Sequence, residues 1–570
     1  MRRTSRCSAL GGGGELPTIT ISSADLKALA GLPEGAEGLE SLLSSIKCSQ
    51  ESECGDEIQI EVTSDRPDLF STEGIARAIR SYTKGASEYS IKTSNLDPLR
   101  LTVDRSALQV RPIIMCAAVR DISLSQEAAR QFMQLQEKLH KTYGADRKKA
   151  SIGVYDLGKV KPPFRYSAEL PTDIKFVPLD STAPLGGREI LELTPKGKEY
   201  AWIISDQKRF PLLSDSGGRV LSMPPIINSE ETRLTSETSD LFIDVTGLDE
   251  KSVGICLNIM VTSILERGGR LQSVEINYPD KTTTTPKLEH REHRLRLENA
   301  EAVSGLKINA DEAVRLLASM GHRPRKPMGR EIIVEVPPYR VDILHEVDLI
   351  EDLIMAFGLN NVPPEYPAVA TEGSLLPGNR LRSRVRDLLV GAGFQEIATY
   401  MLTSREVMVD KPKLPQRRFV EIASPVSSDY TLVRDLLLPK ILDFLGRNAH
   451  VNYPQRVFEY SLVVRESSGG PADLEHVAAA ISDHKVSFEE IQAVAAALLK
   501  GISKEASFRP LSSPPFIEGR AAEIIVDGAR VGALGEVNPE ALVNFGIQCP
   551  VAAIELEIYR FIPLESLFRG

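Results

Sequence analysis

Residues 337–358, PPYRVDILHEVDLIEDLIMAFG, constrain local structure more tightly than any other stretch of the chain. The proline pair requires an extended lead-in, Asp342 is placed to cap a helix, and Gly358 is suited to end it. Val347, Ile350, Leu353, Ile354 and Phe357 recur at helical spacing, so they form one apolar face that must lie on a core. Asp348, Glu351 and Asp352 stand three and four apart and gather on the opposite face, with Asp342 within reach of the same helix end. No Lys or Arg stands among these acids. Four converging carboxylates repel one another unless a cation arrives, and hard oxygen donors of this kind suit Mg²⁺. The plainer alternative is that acids in a first helical turn offset the helix dipole and face water.

The chain has 570 residues, 42% hydrophobic and 26% charged, which suits a soluble protein of several domains. No apolar run approaches the roughly 20 residues needed to cross a bilayer, and residues 491–499 are expected to form a buried helix instead. Cysteines 7, 48, 54, 116, 256 and 549 include no CxxC pair, which argues against zinc and for a reducing, cytoplasmic compartment. The histidines form no zinc-like array, and His290 and His293 lie in a charged, solvated stretch. A net charge of −10 excludes a protein that merely coats nucleic acid. RNA contacts would have to come from local clusters. These are Lys138, Lys141, Arg147, Lys148 and Lys149; Arg323, Arg325, Lys326 and Arg330; and Arg380, Arg382, Arg384 and Arg386.

Residues 1–15 are basic, end in four glycines and lack the apolar core of a secretory signal. They are expected to be a disordered or wrongly assigned extension. Residues 16–98 read as a small α/β module, with a strand at 19–21, a cap at Ser22 or Ser23 and a second strand at 58–62. Residues 99–280 form a larger mixed domain in which Ala128, Phe132, Leu135 and Leu139 mark an amphipathic helix. Residues 278–286, YPDKTTTTP, have linker composition. A compact unit over 287–360 carries a helix at 310–320, a strand at 331–336 and the acidic helix. A Pro-rich linker over 361–378 leads into 379–570, where strand patterns alternate with helices.

Five segments in this order resemble the phenylalanine–tRNA ligase β subunit family in its archaeal and eukaryotic-cytosolic form. They are EVTSDRPDL at 61–69 with EGIAR at 73–77, SMPPIIN at 222–228, LFIDVTG at 241–247, the 337–358 stretch, and FIEGRA at 516–521. The resemblance runs from about residue 16 to the C-terminus. It implies an α+β multidomain chain: an N-terminal α/β module, a mixed α/β editing domain, a small domain with the acidic helix, and a C-terminal antiparallel domain of class II ligase type. It also implies a cytoplasmic α2β2 heterotetramer with an α subunit, which joins phenylalanine to tRNA(Phe) with ATP and Mg²⁺. The Mg²⁺ ligands carried over are Asp342, Asp348, Glu351 and Asp352, completed by the partner chain.

A class II site needs arginines to clamp ATP and neutralise charge as the carboxylate attacks the α-phosphate. The nearest sequences, RVFE at 456–459 and GALGEV at 532–537, have the wrong spacing or no arginine, and no Walker loop is present. The C-terminal domain therefore reads as a ligase scaffold without its catalytic arginines, and activation is expected on the α subunit. Excluding tyrosine from a phenylalanine pocket is limited to about 10²-fold, so a hydrolytic second site is physically expected. The resemblance puts it at 99–280, acting on Tyr-tRNA(Phe). Asn228, after Pro224 and Pro225, is placed to present an amide, and Asp244 and Thr246 project from one strand face. Arg147, Lys148 and Ser151 follow the amphipathic helix and are candidates to hold the tRNA end and the ester. No Ser-His-Asp or Cys-His set is legible, so the expected nucleophile is a bound water assisted by the ribose hydroxyl. The competing function is a non-enzymatic tRNA-binding or assembly subunit without editing.

Overall fold

The computed structural model describes residues 17–33, 38–85, 91–235, 237–467 and 469–562, so the expected extension over 1–15 lies outside the described residues. The chain divides into two compact units, Met1–Tyr366 and Pro367–Gly570. Each is a mixed α/β body, and among the described residues no helix is long and apolar enough to cross a membrane.

The first unit begins with a three-stranded antiparallel sheet in which Glu57–Val62 lies between Thr18–Ser22 and Cys48–Cys54. Ser22 caps the helix Ser23–Ala30 by accepting the Asp25 N–H at 3.0 Å. The next helix, Thr72–Lys84, approaches the preceding turn so closely that a Cβ at Gly74 would sit 1.8 Å from the Asp68 carbonyl oxygen. Only glycine fits there.

A large sheet follows. Its strands run Ile227–Asn228, Val220–Met223, Phe210–Ser214, Phe164–Glu169, Leu99–Val103, Arg270–Asn277, Ile113–Arg120, Leu241–Gly247 and Ala150–Asp156, with Thr282–Thr285 paired to Arg270–Asn277. Period-two alternation sorts Leu241–Gly247 onto two faces. Leu241, Ile243 and Val245 enter the core beneath the helices Gln126–Lys141 and Glu250–Leu265, while Phe242 faces a second core with Tyr155 and Tyr166. All four apolar residues expected on the amphipathic helix are buried. The expected linker at 278–286 is instead a hairpin. Tyr278 N–H donates to Lys281 O, and the β-branched threonines that follow suit an edge strand, closed by Thr285 bonding both backbone groups of Cys116.

The small domain sets the strands Arg291–Arg296, Glu331–Val336 and Arg323–Pro324 against the helices Ala310–Ser319 and Glu346–Phe357. Residues 363–376 carry neither helix nor strand.

The second unit is built on a seven-stranded sheet, ordered Gln395–Glu396, Gln455–Ser467, Gly470–Ser482, Val551–Leu556, Ala529–Val537, Phe516–Val526 and Ala506–Pro510. Every pair is antiparallel except the first. Helices Pro377–Gly391 and Phe488–Gly501 cover one face, and Leu438–Arg447 and Pro539–Phe545 the other. Ile491, Ala495, Leu498 and Leu499 are buried, as a short buried helix requires.

Candidate functional site

Strand Leu241–Gly247 is central, so its inward polar residues are surrounded on both sides. Asp244 stands opposite Gly153 on one neighbour and Cys116 on the other, and Thr246 opposite Ser151 and Ile114. The Tyr155 hydroxyl is hydrogen-bonded to Asp244 Oδ1 and, at 2.7 Å, to Ser222 Oγ. Gly153 makes this possible, because a Cβ there would lie 2.1 Å from the Tyr155 hydroxyl and 2.4 Å from Asp244 Oδ1. Asn228 pairs with Ser222 across the adjoining strands, and its Nδ2 lies 3.4 Å from Val154 O. Asn228, Ser222, Tyr155 and Asp244 thus form a continuous polar run.

Burial raises the Asp244 pKa to about 7, against the opposing pull of the Tyr155 hydrogen bond and the Arg111 charge. Near neutral pH this carboxyl is therefore present in both protonation states, and it can accept or donate a hydrogen bond or move a proton.

Thr246 is anchored by a residue that the sequence did not single out. Fully buried Arg111 donates from Nε to Thr246 Oγ1 at 2.9 Å and from Nη2 to Thr246 O at 2.6 Å. It also bonds the carbonyls of Arg147 (3.0 Å) and Lys148 (3.1 Å). Burial lowers its pKa to about 10. The loop it holds has three successive left-handed residues, Ala145, Asp146 and Arg147, with φ of 49°, 52° and 64°. Such backbone persists only when its surroundings enforce it.

Arg147 is not free to grip a tRNA end, which corrects the expectation drawn from its position. Its Nη1 donates to Ile226 O at 3.0 Å, its Nη2 to Glu137 Oε1 at 2.7 Å, and its guanidinium stacks 4.3 Å from the centre of the Tyr200 ring. It ties the backbone at Ile226, two residues before Asn228, to Glu137 on the helix Gln126–Lys141. Lys148 is exposed at the loop. Ser151 is buried and, by alternation, shares a face with Gly153 and Tyr155. His140 Nε2 accepts the Ile152 N–H at 2.8 Å, so that ring is bound into the backbone.

The acidic helix differs from its expected form. It spans Glu346–Phe357 and is capped by His345, not Asp342, with Asp348 accepting the N–H groups of Leu344 and His345 at 2.7 Å each. Val347 is exposed, while Asp352 faces the core. The unforeseen partner is Arg340, fully buried, which pairs with Asp342 at 2.8 Å and Asp352 at 2.5 Å. His322 Nε2 lies 2.6 Å from the same Asp352 oxygen. Although burial opposes ionisation, the Arg340 charge holds Asp342 and Asp352 below the usual carboxylate range. Glu351 pairs with Lys47 at 2.9 Å. The four carboxylates therefore do not converge, and among the described residues no three His, Cys, Asp or Glu side chains are grouped as a metal ion requires. As placed in this chain the set does not fit a preformed Mg²⁺ site.

Most arginines of the basic clusters are paired. Arg325 bonds Glu292 and Glu335, Arg330 bonds Glu298 and Glu301, and Arg382 and Arg386 bond Glu475 and Glu396. In the second unit Glu459, of the nearest approach to a ligase motif, is buried against Arg434 at 2.8 Å and Thr399 Oγ1 at 2.7 Å. It is thus a core ion pair.

Known proteins match nearly the full length of the chain. Residues 293–359 match the tRNA synthetase B5 domain, and residues 362–558 the phenylalanyl tRNA synthetase beta chain CLM domain. The phenylalanine–tRNA ligase beta subunit of Archaeoglobus fulgidus is 38% identical over 558 residues, spanning 97% of this chain and all of that protein. That of Pyrococcus furiosus is 38% identical over 553 residues, spanning 95% and 99%. A crystal structure of an N-terminal fragment of the Pyrococcus horikoshii phenylalanyl-tRNA synthetase beta subunit aligns over its full length and 60% of this chain, with 38% identity and a TM-score of 0.57. The chain belongs to the phenylalanine–tRNA ligase β subunit family.

Proposed function

We propose that this chain is the non-activating subunit of a phenylalanine–tRNA ligase, that it assembles with an α subunit as α2β2, and that its large sheet hydrolyses Tyr-tRNA(Phe). The observation that carries the editing role is the polar run Asn228–Ser222–Tyr155–Asp244 on one sheet face, with a carboxyl titrating near 7. A phenol hydroxyl offers one donor and one acceptor, and such a run can meet both by exchanging bonds among its own members for bonds to the substrate. A phenyl ring gains neither contact, so the run favours tyrosine over phenylalanine. Asn228 supplies an amide for the ester carbonyl, and a bound water is the nucleophile, with the substrate's ribose hydroxyl assisting. Arg147 and Arg111 act at one remove, by fixing the Asn228 turn and the Thr246 strand. Lys148 is the loop residue left to meet phosphate.

In this reading ATP is used mainly by the α subunit, and Mg²⁺ belongs to the assembled enzyme. Any role of Asp342, Asp348, Glu351 or Asp352 in holding the metal then requires the partner chain. Metal content of the complex, unchanged when Asp348 and Glu351 are both replaced by alanine, would rule that role out. Editing is tested by the αβ complex acting on Tyr-tRNA(Phe). Hydrolysis by wild type that is lost in Asn228→Ala supports it, and a wild-type complex that leaves Tyr-tRNA(Phe) intact leaves only a scaffold and tRNA-binding role.

A further inference from the structure

The two ends of the large sheet meet at the polar run. Ile227–Asn228 is one terminal strand and Ala150–Asp156 the other, and Asn228 Nδ2 lies 3.4 Å from Val154 O. Register decides where each backbone group of Ala150–Asp156 points. Lys149 O accepts the Leu248 N–H at 3.1 Å, and Leu157 N–H donates to Asp240 O at 2.9 Å. The pairs between these, Thr246 with Ser151, Asp244 with Gly153 and Phe242 with Tyr155, continue the same alternation. Odd-numbered residues therefore bond toward Leu241–Gly247. Even-numbered residues turn their N–H and C=O outward, along an edge that no further strand covers.

Other groups close the start of that edge. Ala150 N–H donates to Gly144 O at 3.4 Å. Ile152 N–H donates to His140 Nε2 at 2.8 Å, and Ile152 O accepts from Gln136 Nε2 at 2.6 Å. The cover stops at Val154, the one residue of the strand that is not buried. Its C=O takes the long Asn228 contact, and its N–H has no partner among the described residues. Asn228 is also half-buried. Two N–H donors, one from the backbone and one from a side-chain amide, thus border a single opening between the terminal strands. An unpaired main-chain donor at such a place calls for an acceptor.

Ester hydrolysis supplies that acceptor. We propose that the Val154 N–H and the Asn228 amide together form the oxyanion hole for the tyrosyl ester. This pairing presupposes that the sheet edits Tyr-tRNA(Phe), and it adds to Asn228 a second donor that belongs to the backbone. As the water oxygen bonds to the ester carbonyl carbon, the C=O electron pair moves onto the carbonyl oxygen, which takes both hydrogen bonds. When that pair returns, the C–O bond to the ribose breaks, and the ribose oxygen leaves with the proton given up by the water. Tyrosine and a free ribose hydroxyl result. The Val154 donor is held by the ladder through Gly153 and Tyr155 on either side, so it is in place before charge develops.

The test removes this one N–H from the αβ complex in two ways. Val154→Pro is tolerated in principle, because the lost N–H lies on an edge and serves no ladder bond. An amide-to-ester replacement at residue 154, made with the α-hydroxy analogue of valine, removes the same hydrogen and keeps the side chain. The ester weakens the Gly153 carbonyl as an acceptor, and proline does not. Proline restricts the backbone, and the ester does not. A loss common to both is therefore the loss of the donor, and unchanged thermal unfolding certifies each protein. Deacylation of Tyr-tRNA(Phe) should fall by about 10²–10³-fold in kcat in both, with KM within about threefold of wild type. A kcat within threefold of wild type in either folded variant, or a raised KM with kcat unchanged, overturns the proposal. A wild-type complex that leaves Tyr-tRNA(Phe) intact refutes the editing role itself, a separate failure visible before any variant is made.

Discussion

Replacing Asp244 by asparagine should make the first unit more resistant to unfolding as the pH rises. The folded pKa of Asp244 is raised to about 7 by burial, against an ordinary value of 3.8. A carboxyl whose folded pKa lies above its unfolded one stabilises the fold fully only below the unfolded value. That contribution is lost progressively as the pH climbs from about 4 to about 7, and the loss levels off above it. At about 1.4 kcal/mol per unit, wild type carries a penalty of about 4 kcal/mol above pH 8 and about 1.5 kcal/mol at pH 5. Asparagine keeps a side-chain carbonyl for the Tyr155 hydroxyl and cannot ionise. The stability of Asp244→Asn relative to wild type should therefore rise by about 2–3 kcal/mol between pH 5 and pH 8.5, with all other titrating groups cancelling in the difference. The assay is guanidinium unfolding followed by tryptophan fluorescence. The chain has one tryptophan, Trp202, and it lies in the first unit, so the signal reports that unit alone. A relative stability that stays flat over this range, or falls, would refute the assignment of a buried carboxyl titrating near neutrality.

Four further outcomes follow from the geometry. Arg340→Met should destabilise the small domain by about 3–5 kcal/mol by stranding Asp342 and Asp352, and adding Asp352→Asn should restore part of the loss, as read by hydrogen exchange in Glu346–Phe357. Gly74→Ala should cost about 3 kcal/mol or more, seen as lowered thermal stability, because its Cβ meets the Asp68 carbonyl oxygen at 1.8 Å. In tRNA binding measured against salt, Lys148→Ala should reduce the slope by about one phosphate contact, whereas Arg147→Ala should leave it unchanged. Arg147→Ala should instead lower deacylation of Tyr-tRNA(Phe) by about tenfold through the loosened Asn228 turn, and an unchanged rate would deny it a positioning role.

What the sequence made legible was periodic. The helix on Ala128, Phe132, Leu135 and Leu139, the alternation of 241–247 and the helix at 310–320 all follow from spacing, because burial imposes the same period on both. What stayed hidden depends on register between strands distant in sequence. The Tyr155 hydroxyl reaches Asp244 and Ser222 because Gly153 stands opposite Asp244 and leaves it room, and no local pattern records that pairing. Alternation of Ser151, Gly153 and Tyr155 along one strand face was the available signal. Arg340 was missed for a different reason. It stands two residues before Asp342, and only the turn of the backbone there swings its guanidinium between Asp342 and Asp352. Arg111 was likewise invisible, since a buried arginine satisfied by carbonyl oxygens has no acidic partner to betray it.

The most direct test of the subunit assignment is phenylalanine-dependent ATP–pyrophosphate exchange, measured with this chain alone and after co-expression with an α subunit of the same family. The account predicts exchange in the mixture and none with the chain alone, because Glu459 is spent on Arg434 and no ligase arginine set is present in the sequence of the second unit. Exchange by the chain alone would contradict it and make the second unit a live active site.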